Sequence, residues 1–421
     1  MDTKSDRKPI LVVGGGIAGM TAAIEAAEAG AEVVLIEKTA YLGGRVAGFN
    51  QYFPKLCPPS CGLEINFKRL RNHSRIQVLT LAELQRLDGE PGDYQATLRV
   101  APRYVTDACT MCGACVAACP AEISNELDYG LTRTRAIHVR TSSAFPAAYV
   151  VERTACPPDC HACAEACKYG AIQLDQAAEI RTLPVASVIV ATGWKPYDAS
   201  RIDNLGYGTC ANVVTNVVLE RLASVDGPTQ GKVLRPSDHQ EPKSVAFVQC
   251  AGSRDHNHLA YCSAVCCSAS LKQATYIRKL FPEAKVAIFY IDVRTPGHMQ
   301  EFAAKVTADQ GIELVKGKVG KIEEDPQSKN LRVTVEDVLA GQKATRDFDL
   351  VVLATGMVPQ TDGLLSGMQR DEFGFLMGNH GSGVYSAGCV KRPSEVSASV
   401  RDATGAALKA LQIAVGATHH G

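Results

Sequence analysis

The hydrophobic pattern near the start of the chain predicts a strand, a helix and a second strand. A continuous apolar run at 10–13 (ILVV) is followed by a glycine-rich turn, a stretch of small residues with helical spacing, and a second apolar run at Glu32–Ile36. Short apolar runs bounded by turn residues are typical of strands that are buried on both faces. The pattern therefore predicts a β-α-β unit with parallel strands.

A second unit of the same kind is predicted further along the chain. The apolar runs KSVAFVQ (243–249) and AKVAIFYIDV (Ala284–Val293) predict strands, and SASLKQATYIRKLF (268–281) between them has helical spacing. Two more apolar runs each end in Ala-Thr-Gly, at Ala191–Gly193 and Ala354–Gly356. In flavoproteins with two dinucleotide-binding domains, such turns lead the chain from one domain to the other.

The turn of the first unit carries a dinucleotide fingerprint. Gly14, Gly16 and Gly19 form G-x-G-x-x-G, in which the first glycine allows a tight turn and the second lets the backbone approach a pyrophosphate. The third lets the helix pack closely on the strand. Glu37 ends the second strand about 20 residues further on, where a carboxylate accepts hydrogen bonds from a ribose. A glycine loop without nucleotide is the alternative, but the strand, helix and acidic end in register favour a dinucleotide site.

Other short stretches favour FAD over NAD as that dinucleotide. YLGGRV at 41–46 resembles the second contact loop of FAD-binding flavoproteins, and the two Ala-Thr-Gly turns and YSAGCV at 385–390 fit the same kind of protein. The candidate FAD contacts that these stretches add are Gly43, Gly44, Arg45, Thr192, Gly193, Gly356 and Gly388.

Composition changes this picture mainly through cysteine. Sixteen of the 421 residues are cysteine, whereas 44 Lys and Arg balance 44 Asp and Glu. Such a balance gives no overall basic surface for nucleic acid or anionic lipid. No apolar stretch reaches the roughly 18 residues of a membrane span, and we expect no secretory leader. Because a cytosolic chain of this size rarely keeps disulfides, the cysteines favour metal.

Two cysteine runs predict a bacterial-type ferredoxin. CTMCGACVAACP at 109–120 has the spacing C-x2-C-x2-C-x3-C-P, and CPPDCHACAEAC at 156–167 repeats it with one extra residue. Three thiolates of one run cap one cubane and the fourth ligates the other. The first cluster is assigned to Cys109, Cys112, Cys115 and Cys167, and the second to Cys156, Cys160, Cys163 and Cys119. Zinc ribbons use similar pairs but fit this density of cysteines poorly.

A third cysteine group stands where the second β-α-β unit would bind NAD(P)H. Between its first strand and its helix the chain reads CAGSRDHNHLAYCSAVCC, with Gly252 as the only glycine. Without a Gly-x-Gly turn the backbone cannot easily approach a pyrophosphate. We therefore expect a third [4Fe–4S] cluster on Cys250, Cys262, Cys266 and Cys267. Buried apolar cysteines, or a Cys266–Cys267 redox pair, are the alternatives.

Four cysteines remain without an assignment. Cys57 and Cys61 follow the Gly-Gly-Arg stretch and are open to three roles: ligands of a cluster shared with a partner, a thiol pair, or packing. Cys210 has no companion. Cys389 follows Gly388 where related flavoproteins usually have an aspartate that bonds the ribityl chain, which weakens that assignment. A helix expected from about Ser394 can still aim its N-terminus at the flavin.

These patterns predict an α/β fold in five segments. The FAD-binding, Rossmann-like domain of a two-dinucleotide-domain, thioredoxin-reductase-like protein is expected at 1–100, 179–240 and 349–421. An inserted α+β bacterial-type ferredoxin domain is expected at 101–178. A second Rossmann-like domain, with the cysteine-rich motif, is expected at 241–348.

The order of these parts resembles the flavin subunit of heterodisulfide reductases. The fingerprint, the inserted ferredoxin and CAGSRD…YCSAVCCSASLKQA follow one another as in that family, and the resemblance covers nearly the whole chain. Within the family, the short length and the lack of terminal ferredoxin domains are similar to the QmoA group, the flavin subunits of quinone-interacting membrane-bound oxidoreductase complexes.

The resemblance implies an oxidoreductase subunit with FAD and [4Fe–4S] clusters. Such a protein passes electrons between a membrane quinone module and a soluble partner such as adenylylsulfate reductase, in dissimilatory sulfate reduction. Its partners would be a larger flavin and iron–sulfur subunit and a haem-bearing membrane subunit, and not nucleic acid. It would be cytoplasmic and held at the inner face of the cell membrane by these subunits. Flavin-based electron bifurcation or confurcation is associated with the family.

Three other functions stay open on the sequence. A soluble heterodisulfide-reductase-type subunit would use other partners, and a self-sufficient oxidoreductase would use NAD(P)H. A non-enzymatic scaffold would hold structural zinc. No Ser/His/Asp set is present, so no side chain is predicted to be catalytic. His256 and His258, in the cysteine loop, are either surface residues or residues that tune a cluster.

Overall fold

The N-terminal β-α-β unit opens a five-stranded parallel sheet. The computed structural model describes residues 7–53, 55–364, 367–378 and 381–416, so the ends of the first and last expected segments lie outside the described residues. In the sheet, each strand is parallel to its neighbours. With strands numbered along the chain, the order is β21 (Val384–Ser386), β11 (Ser187–Val190), β1 (Ile10–Val13), β2 (Val33–Glu37) and β3 (Ile76–Thr80).

Three helices cover one face of this sheet, because alternate strand residues point to opposite sides. Ile10 and Val12 of β1 belong to the core on the helix side, and Leu11 and Val13 to the core on the other side. On the helix side, alanines of the first and last helices face each other, which lets the two helices approach closely. The helices are α1 (Ile17–Glu28), α2 (Ser60–Asn72) and α8 (Val396–Gly416).

An antiparallel sheet covers the other face, and the cysteine-rich insert leaves from it. Its strands are β4 (Ala82–Glu90), β5 (Asp93–Val100) and β10 (Glu179–Val185). The last residue of β5, Val100, pairs with the first residue of β10, Glu179. Since the two ends of residues 101–178 are paired neighbours, the insert extends a hairpin connection without breaking the sheet, an addition that costs little.

The insert has little secondary structure and a small core. Cys115, Cys119 and Cys163 are themselves buried members of that core, beside Ile137 and Val151. So small a core leaves the unit marginally stable, and groups bound to its thiols would add to that stability. Its elements are α3 (Ala114–Ala118), β6 (Glu122–Ser124), β7 (Arg133–Arg135), β8 (Ile137–His138), β9 (Val150–Val151) and α4 (Ala162–Glu165).

The second β-α-β unit belongs to a seven-stranded mixed sheet. Its helix begins at Cys266, two residues earlier than predicted, because the adjacent cysteines form its first turn. The strand after it ends at Tyr290, three residues earlier than predicted. The strands, in sheet order, are β13 (Val213–Thr215), β19 (Leu350–Thr355), β14 (Ser244–Ala251), β15 (Lys285–Tyr290), β16 (Ile312–Glu324), β17 (Leu331–Asp337) and β18 (Gln342–Phe348). The helices are α5 (Asn216–Ala223), α6 (Cys266–Leu280) and α7 (Met299–Thr307).

A two-stranded ribbon joins the two large sheets. It consists of β12 (Trp194–Pro196) and β20 (Met357–Pro359), which pair antiparallel and directly follow the two Ala-Thr-Gly turns. Single turns of 3₁₀ helix occur at Val46–Gly48, Glu126–Asp128, Arg153–Ala155, Ala199–Arg201, Asp203–Leu205 and Gly388–Val390. None of the helices in the described part of the chain is both long and apolar enough to cross a bilayer.

Arg221 of α5 joins three parts of the molecule. Its Nε donates to Asp128 of the insert at 2.9 Å, and its Nη1 donates to the carbonyl of Gly48, in the loop after β2, at 3.3 Å. Nη1 also contacts Asp226 at 3.1 Å. The side chains of Arg221 and Asp128 are only 2% and 4% exposed, so removing Arg221 would leave the charge of Asp128 buried and unpaired.

We expect Arg221→Met to destabilise the protein by about 3–5 kcal/mol, because Asp128 would keep its charge in a buried site. The matched control is Arg332→Met, which removes an arginine whose partner, Asp347, is 65% exposed. That change should cost at most about 1 kcal/mol. Thermal unfolding followed by circular dichroism measures both. Equal losses in the two variants would contradict the role assigned to Arg221.

Candidate functional site

The fingerprint turn joins β1 directly to α1. A Cβ built at Gly19 would lie 1.7 Å from the carbonyl oxygen of Gly14, so only glycine lets the helix pack on the turn. Gly16 is the N-cap residue of α1, and no side chain caps the helix there. The first N–H groups of α1 and the positive end of its dipole are therefore available to an anion.

The position that a pyrophosphate must approach is open. A Cβ built at Gly16 would find only the Cα of Gly44 within 4 Å, at 3.8 Å. The Gly43–Gly44 loop is itself tied to the turn, because the Gly43 N–H donates to the Gly15 carbonyl at 2.9 Å. This cradle fits a dinucleotide, and it is formed by the glycines that the sequence singled out.

Glu37 and Arg45 flank this cradle. One carboxylate oxygen of Glu37 accepts the Gly15 N–H at 2.6 Å, and the other accepts the N–H and hydroxyl of Thr39. Arg45 donates to the hydroxyl of Tyr129, in the insert, at 3.2 Å and lies over the ring of Trp194. Burial lowers the pKa of Arg45, and Tyr129 partly opposes this.

The four other predicted FAD contacts lie in turns around the domain junction. Thr192 donates its hydroxyl to the Gln360 carbonyl at 2.6 Å, and Gly193 accepts the Gln360 N–H at 2.9 Å. Gly356 packs against Ser253 of the cysteine-rich loop. Gly388 starts the 3₁₀ turn before α8.

Gly388 has a partner that sequence reasoning missed. Its N–H donates to Asp402 of α8 at 2.9 Å, and Asp402 also pairs with Lys391 at 2.7 Å. An aspartate carboxylate therefore contacts Gly388, although the next residue is Cys389 and not the aspartate that related flavoproteins usually have there. The helix itself begins at Val396, where the Glu395 carboxylate accepts the N–H groups of Ser397 and Ala398.

The first predicted cluster group surrounds one cavity. Cys109, Cys112, Cys115 and Cys167 all line it, although the last lies in the other cysteine run. Tyr149 and Tyr169 complete its wall. Burial raises the pKa of Cys115 to about 11, and the charges of Cys109 and Cys112 add to the rise.

The second predicted group gathers around Cys163. Burial raises the pKa of this thiol, and Cys119, Cys156 and Cys160 raise it further through their charges. Cys119 belongs to the first run, so this group also draws its fourth thiol from the opposite run. Buried thiols that destabilise one another's charge form a donor set suited to a cationic iron–sulfur core.

The third predicted group forms where β14 meets α6. Cys250 lies near the end of the strand, Cys262 lies in the loop, and Cys266 and Cys267 form the first turn of the helix. Burial raises the pKa of Cys266, and the charges of Cys250, Cys267 and Cys262 raise it further. The helix N-terminus, in contrast, favours thiolates.

The glycine of this loop offers no approach to a pyrophosphate. A Cβ built at Gly252 would lie 2.4 Å from Cδ1 of Tyr197, whereas the corresponding space at Gly16 is open. Tyr197 is held there by a 2.8 Å hydrogen bond to Nδ1 of His258. An aromatic ring therefore fills the space that the second β-α-β unit would need for NAD(P)H.

The cysteine-rich loop is bonded to the junction with the first domain. Ser263 accepts the Met357 N–H at 2.8 Å, and Tyr261 donates to the Met357 carbonyl at 2.7 Å. Cys266 contacts the carbonyl of Thr355, at 3.7 Å. The third group is thus attached to the ribbon that leads back to the dinucleotide domain.

A buried polar network fixes the helix that carries Cys266 and Cys267. Lys272, in the second turn of α6, pairs with Glu220 at 2.8 Å, and both side chains are about 5% exposed. Glu220 also accepts the Asn50 N–H at 3.1 Å and the Gln273 amide at 2.7 Å. No sequence motif indicated this network, which holds α6 against the loop after β2.

The described residues hold no group of three or more His, Cys, Asp or Glu side chains close enough to bind a single metal ion. Mononuclear zinc requires four ligands about 2.3 Å or less from one centre. A cubane instead binds each thiolate to a different iron, which suits cysteines spread around a cavity.

The four unassigned cysteines differ in their surroundings. Cys57 and Cys61 both lie near Tyr52, whose pKa rises to about 12 through burial and then through these thiols. Cys210 is buried, and Cys389 donates to the Ser394 carbonyl at 3.2 Å. All sixteen cysteines are free thiols in the structure.

Two family profiles match the chain in the expected places. The profile described as FAD dependent oxidoreductase matches residues 9–60, which contain the fingerprint and the Gly-Gly-Arg loop. The profile described as 4Fe-4S binding domain matches residues 102–123, which contain the first cysteine run. These two matches confirm the predicted kinds of cofactor, which are FAD and [4Fe–4S] clusters.

Solved structures of low sequence identity share the fold. Thioredoxin reductase from T. acidophilum superposes with a TM-score of 0.54 at 16% identity, covering 97% of this chain and 99% of that one. Bacillithiol disulfide reductase from Bacillus cereus gives 0.52 at 15% identity, with the same coverage. The predicted fold class, a thioredoxin-reductase-like FAD fold with a ferredoxin-type insert, is confirmed.

Curated proteins match the chain at higher identity. The chain is 39% identical over 417 residues to a CoB–CoM heterodisulfide reductase iron-sulfur subunit of Methanopyrus kandleri. It is 36% identical over 416 residues to the corresponding chain of the H(2):CoB-CoM heterodisulfide,ferredoxin reductase of Methanothermobacter marburgensis. Each match covers 95% of this chain but only 63% of the relative. Over the part that it shares with these relatives, the chain is similar to the A subunits of heterodisulfide reductases, as the sequence indicated.

Proposed function

We propose that the chain is an electron-transfer subunit in which FAD exchanges electrons with three [4Fe–4S] clusters and with protein partners. One observation carries the proposal: the second Rossmann-like domain has four mutually close cysteines where NAD(P)H would bind, and Tyr197 fills the space beside Gly252. This arrangement supports one-electron exchange with a cluster in place of hydride delivery by a nicotinamide.

The proposed cofactor ligands are those of the sequence analysis. The fingerprint glycines, Glu37 and Arg45 would hold FAD, which supplies chemistry that couples two-electron and one-electron steps. The insert would hold two clusters, and the loop from Cys250 to Cys267 the third. The proposed boundaries of the insert are 101 and 178, between the paired ends of β5 and β10.

The chain's own residues would set the geometry and energy of this transfer. The contact of Cys266 with Thr355 holds the proposed third cluster at the end of β19, just before the ribbon that joins the two large sheets. Arg221 holds the insert against both large domains. Hydrogen bonds to thiolate sulfur and burial tune cluster potentials, and the Ala264 N–H lies 3.4 Å from Cys262 and the Ala171 N–H 3.4 Å from Cys167.

For the partners, we propose a membrane quinone module on one side and a soluble reductase such as adenylylsulfate reductase on the other. A larger flavin and iron–sulfur subunit and a haem-bearing membrane subunit would bring the chain to the inner face of the membrane. The replaced nicotinamide site supports protein partners in general. The choice of quinone rests on the likeness to the QmoA group.

A second candidate is a heterodisulfide-reductase-type subunit with soluble partners. It is favoured by the names of the relatives at 36–39% identity, which describe reductases of the CoB–CoM heterodisulfide. In that case electrons would pass to a disulfide-reducing subunit, and no quinone would take part.

The two candidates differ in what changes the redox state of the clusters. We expect a menaquinol analogue to reduce the clusters of the anaerobic complex, purified through a tag on this chain, as measured by electron paramagnetic resonance. CoB–CoM heterodisulfide should not reoxidise them. Reoxidation by the heterodisulfide, with no response to quinol, would establish the second candidate instead.

Three clusters predict about 12 iron atoms per FAD. Cys262→Ser should lower that ratio to about 8 and remove one cluster signal, because it deletes a ligand of the third site only. Cys210→Ser, at a buried cysteine that is assigned to no cluster, is the control and should keep the ratio of the unaltered protein. Anaerobic iron and flavin quantification gives both values. A ratio near 8 in the unaltered protein would remove the third cluster from the proposal.

NADH and NADPH should fail to bleach the flavin of the isolated chain under argon, because Tyr197 blocks the turn that would bind their pyrophosphate. Dithionite should bleach it, which shows that the flavin is reducible. The measurement is absorbance near the flavin maximum after rapid mixing. Fast bleaching by either nucleotide would favour the self-sufficient NAD(P)H-dependent enzyme.

A further inference from the structure

One segment of the cysteine-rich insert lies against the Gly43–Gly44 loop. The Leu42 N–H donates to the Phe145 carbonyl at 2.8 Å. Tyr41 places its hydroxyl 2.8 Å from the Ala148 carbonyl and 3.1 Å from the His138 carbonyl. Both residues immediately precede the Gly43–Gly44 pair, so residues 138–148 of the insert border the cradle of the dinucleotide.

Arg140 lies in this bordering segment. Within the part of the chain that the structure describes, its guanidinium donates no hydrogen bond and forms no ion pair. The neighbouring arginines are engaged: Arg45 donates to Tyr129 and Arg221 pairs with Asp128. A guanidinium that lacks a hydrogen-bonded partner in a partly buried site is costly, which indicates that an anion belongs beside it.

The hydrogen bonds of Tyr41 and Leu42 to this segment place Arg140 beside the Gly43–Gly44 loop, and the charged groups that act on it flank the fingerprint. Its pKa is lowered by burial, raised by Glu37, and lowered by Arg45 and Arg221. Glu37 touches the turn through the Gly15 N–H, and Arg45 follows Gly44, whose Cα faces Gly16. Arg140 therefore lies close to charged groups that flank the open side of the turn.

Glu37 forms no ion pair with Arg140 among the described residues, and its carboxylate oxygens accept hydrogen bonds from Gly15 and Thr39. The N-terminus of α1 has no side-chain cap, so its dipole would stabilise a negative charge at the same turn. A group with two adjacent negative charges would satisfy both the helix and the guanidinium, and the pyrophosphate of FAD is such a group.

We propose that Arg140, contributed by the cluster-bearing insert, is a counter-ion of the FAD pyrophosphate, so that the insert completes the flavin site. The proposal depends on FAD at the fingerprint and on no particular electron donor or acceptor. Its consequence is that flavin affinity depends on a residue of the iron–sulfur domain, which belongs to neither large sheet.

Arg140→Gln should weaken FAD binding at least about tenfold, because a hydrogen bond to a charged group contributes about 1.5–3 kcal/mol. Arg140→Lys should recover part of the affinity, since it keeps the charge. Arg135→Gln is the control, because this arginine is in the same insert but pairs with Glu122 at 3.1 Å on the surface. FAD release is measured by its fluorescence, and iron content reports whether the insert remains folded.

Competition identifies the part of FAD that Arg140 contacts. After mild removal of flavin from the full chain, ADP should prevent FAD rebinding better than adenosine does. In Arg140→Gln this advantage should fall about tenfold, while the effect of adenosine stays the same. Unchanged FAD affinity in Arg140→Gln with full iron content would overturn the proposal. So would an equal loss for ADP and adenosine.

The readouts separate this inference from the proposed function. If quinol does not reduce the clusters of the unaltered protein but Arg140→Gln still loses FAD, the proposed partners are contradicted. The role of Arg140 is then still supported. An unaltered protein that binds no FAD at all would instead remove the cofactor on which both depend.

Discussion

The grouping of buried cysteine thiols is the constraint on which this structure depends. Thiols such as Cys115, Cys163 and Cys266 are buried, and their pKa values are raised first by burial and then by neighbouring cysteines. Thiolates held in this way are unfavourable unless positive charge lies among them. Iron–sulfur cores would supply that charge and would stabilise the thiolate form that burial disfavours.

The small insert shows the constraint most clearly. Three of its cysteines form part of its own core, so its folding and its cluster content are linked. Its position depends on other forces. Asp128 is bonded to Arg221, and Tyr41 is bonded to the carbonyls of His138 and Ala148. The insert is thus held on the Gly43–Gly44 loop by buried charge and by hydrogen bonds, and the proposed electron transfer would depend on that fixed arrangement.

The second Rossmann-like domain differs from the first at the turn where a nucleotide would bind. The β14-α6-β15 skeleton is retained, and the helix N-terminus that would attract a pyrophosphate begins with two cysteines. The Tyr197 ring covers Gly252, and the Glu220–Lys272 pair holds the helix against the first domain. Both features favour a fixed electron-transfer site over a site that binds and releases a nucleotide.

The sequence by itself determined the features whose residues are neighbours along the chain. The Gly14–Gly19 fingerprint, the cysteine run at 109–120 and the β-α-β patterns have fixed local spacings, because a turn or a helix brings their groups together. Even the exchange of Cys119 and Cys167 between the two runs followed from spacing. The tertiary structure decided the rest: Tyr197 over Gly252, Asp402 at Gly388, the unpaired Arg140, and the Arg221–Asp128 pair, whose members are 93 positions apart. No periodicity encodes such pairs, since burial and chain crossing, and not local geometry, bring them into contact.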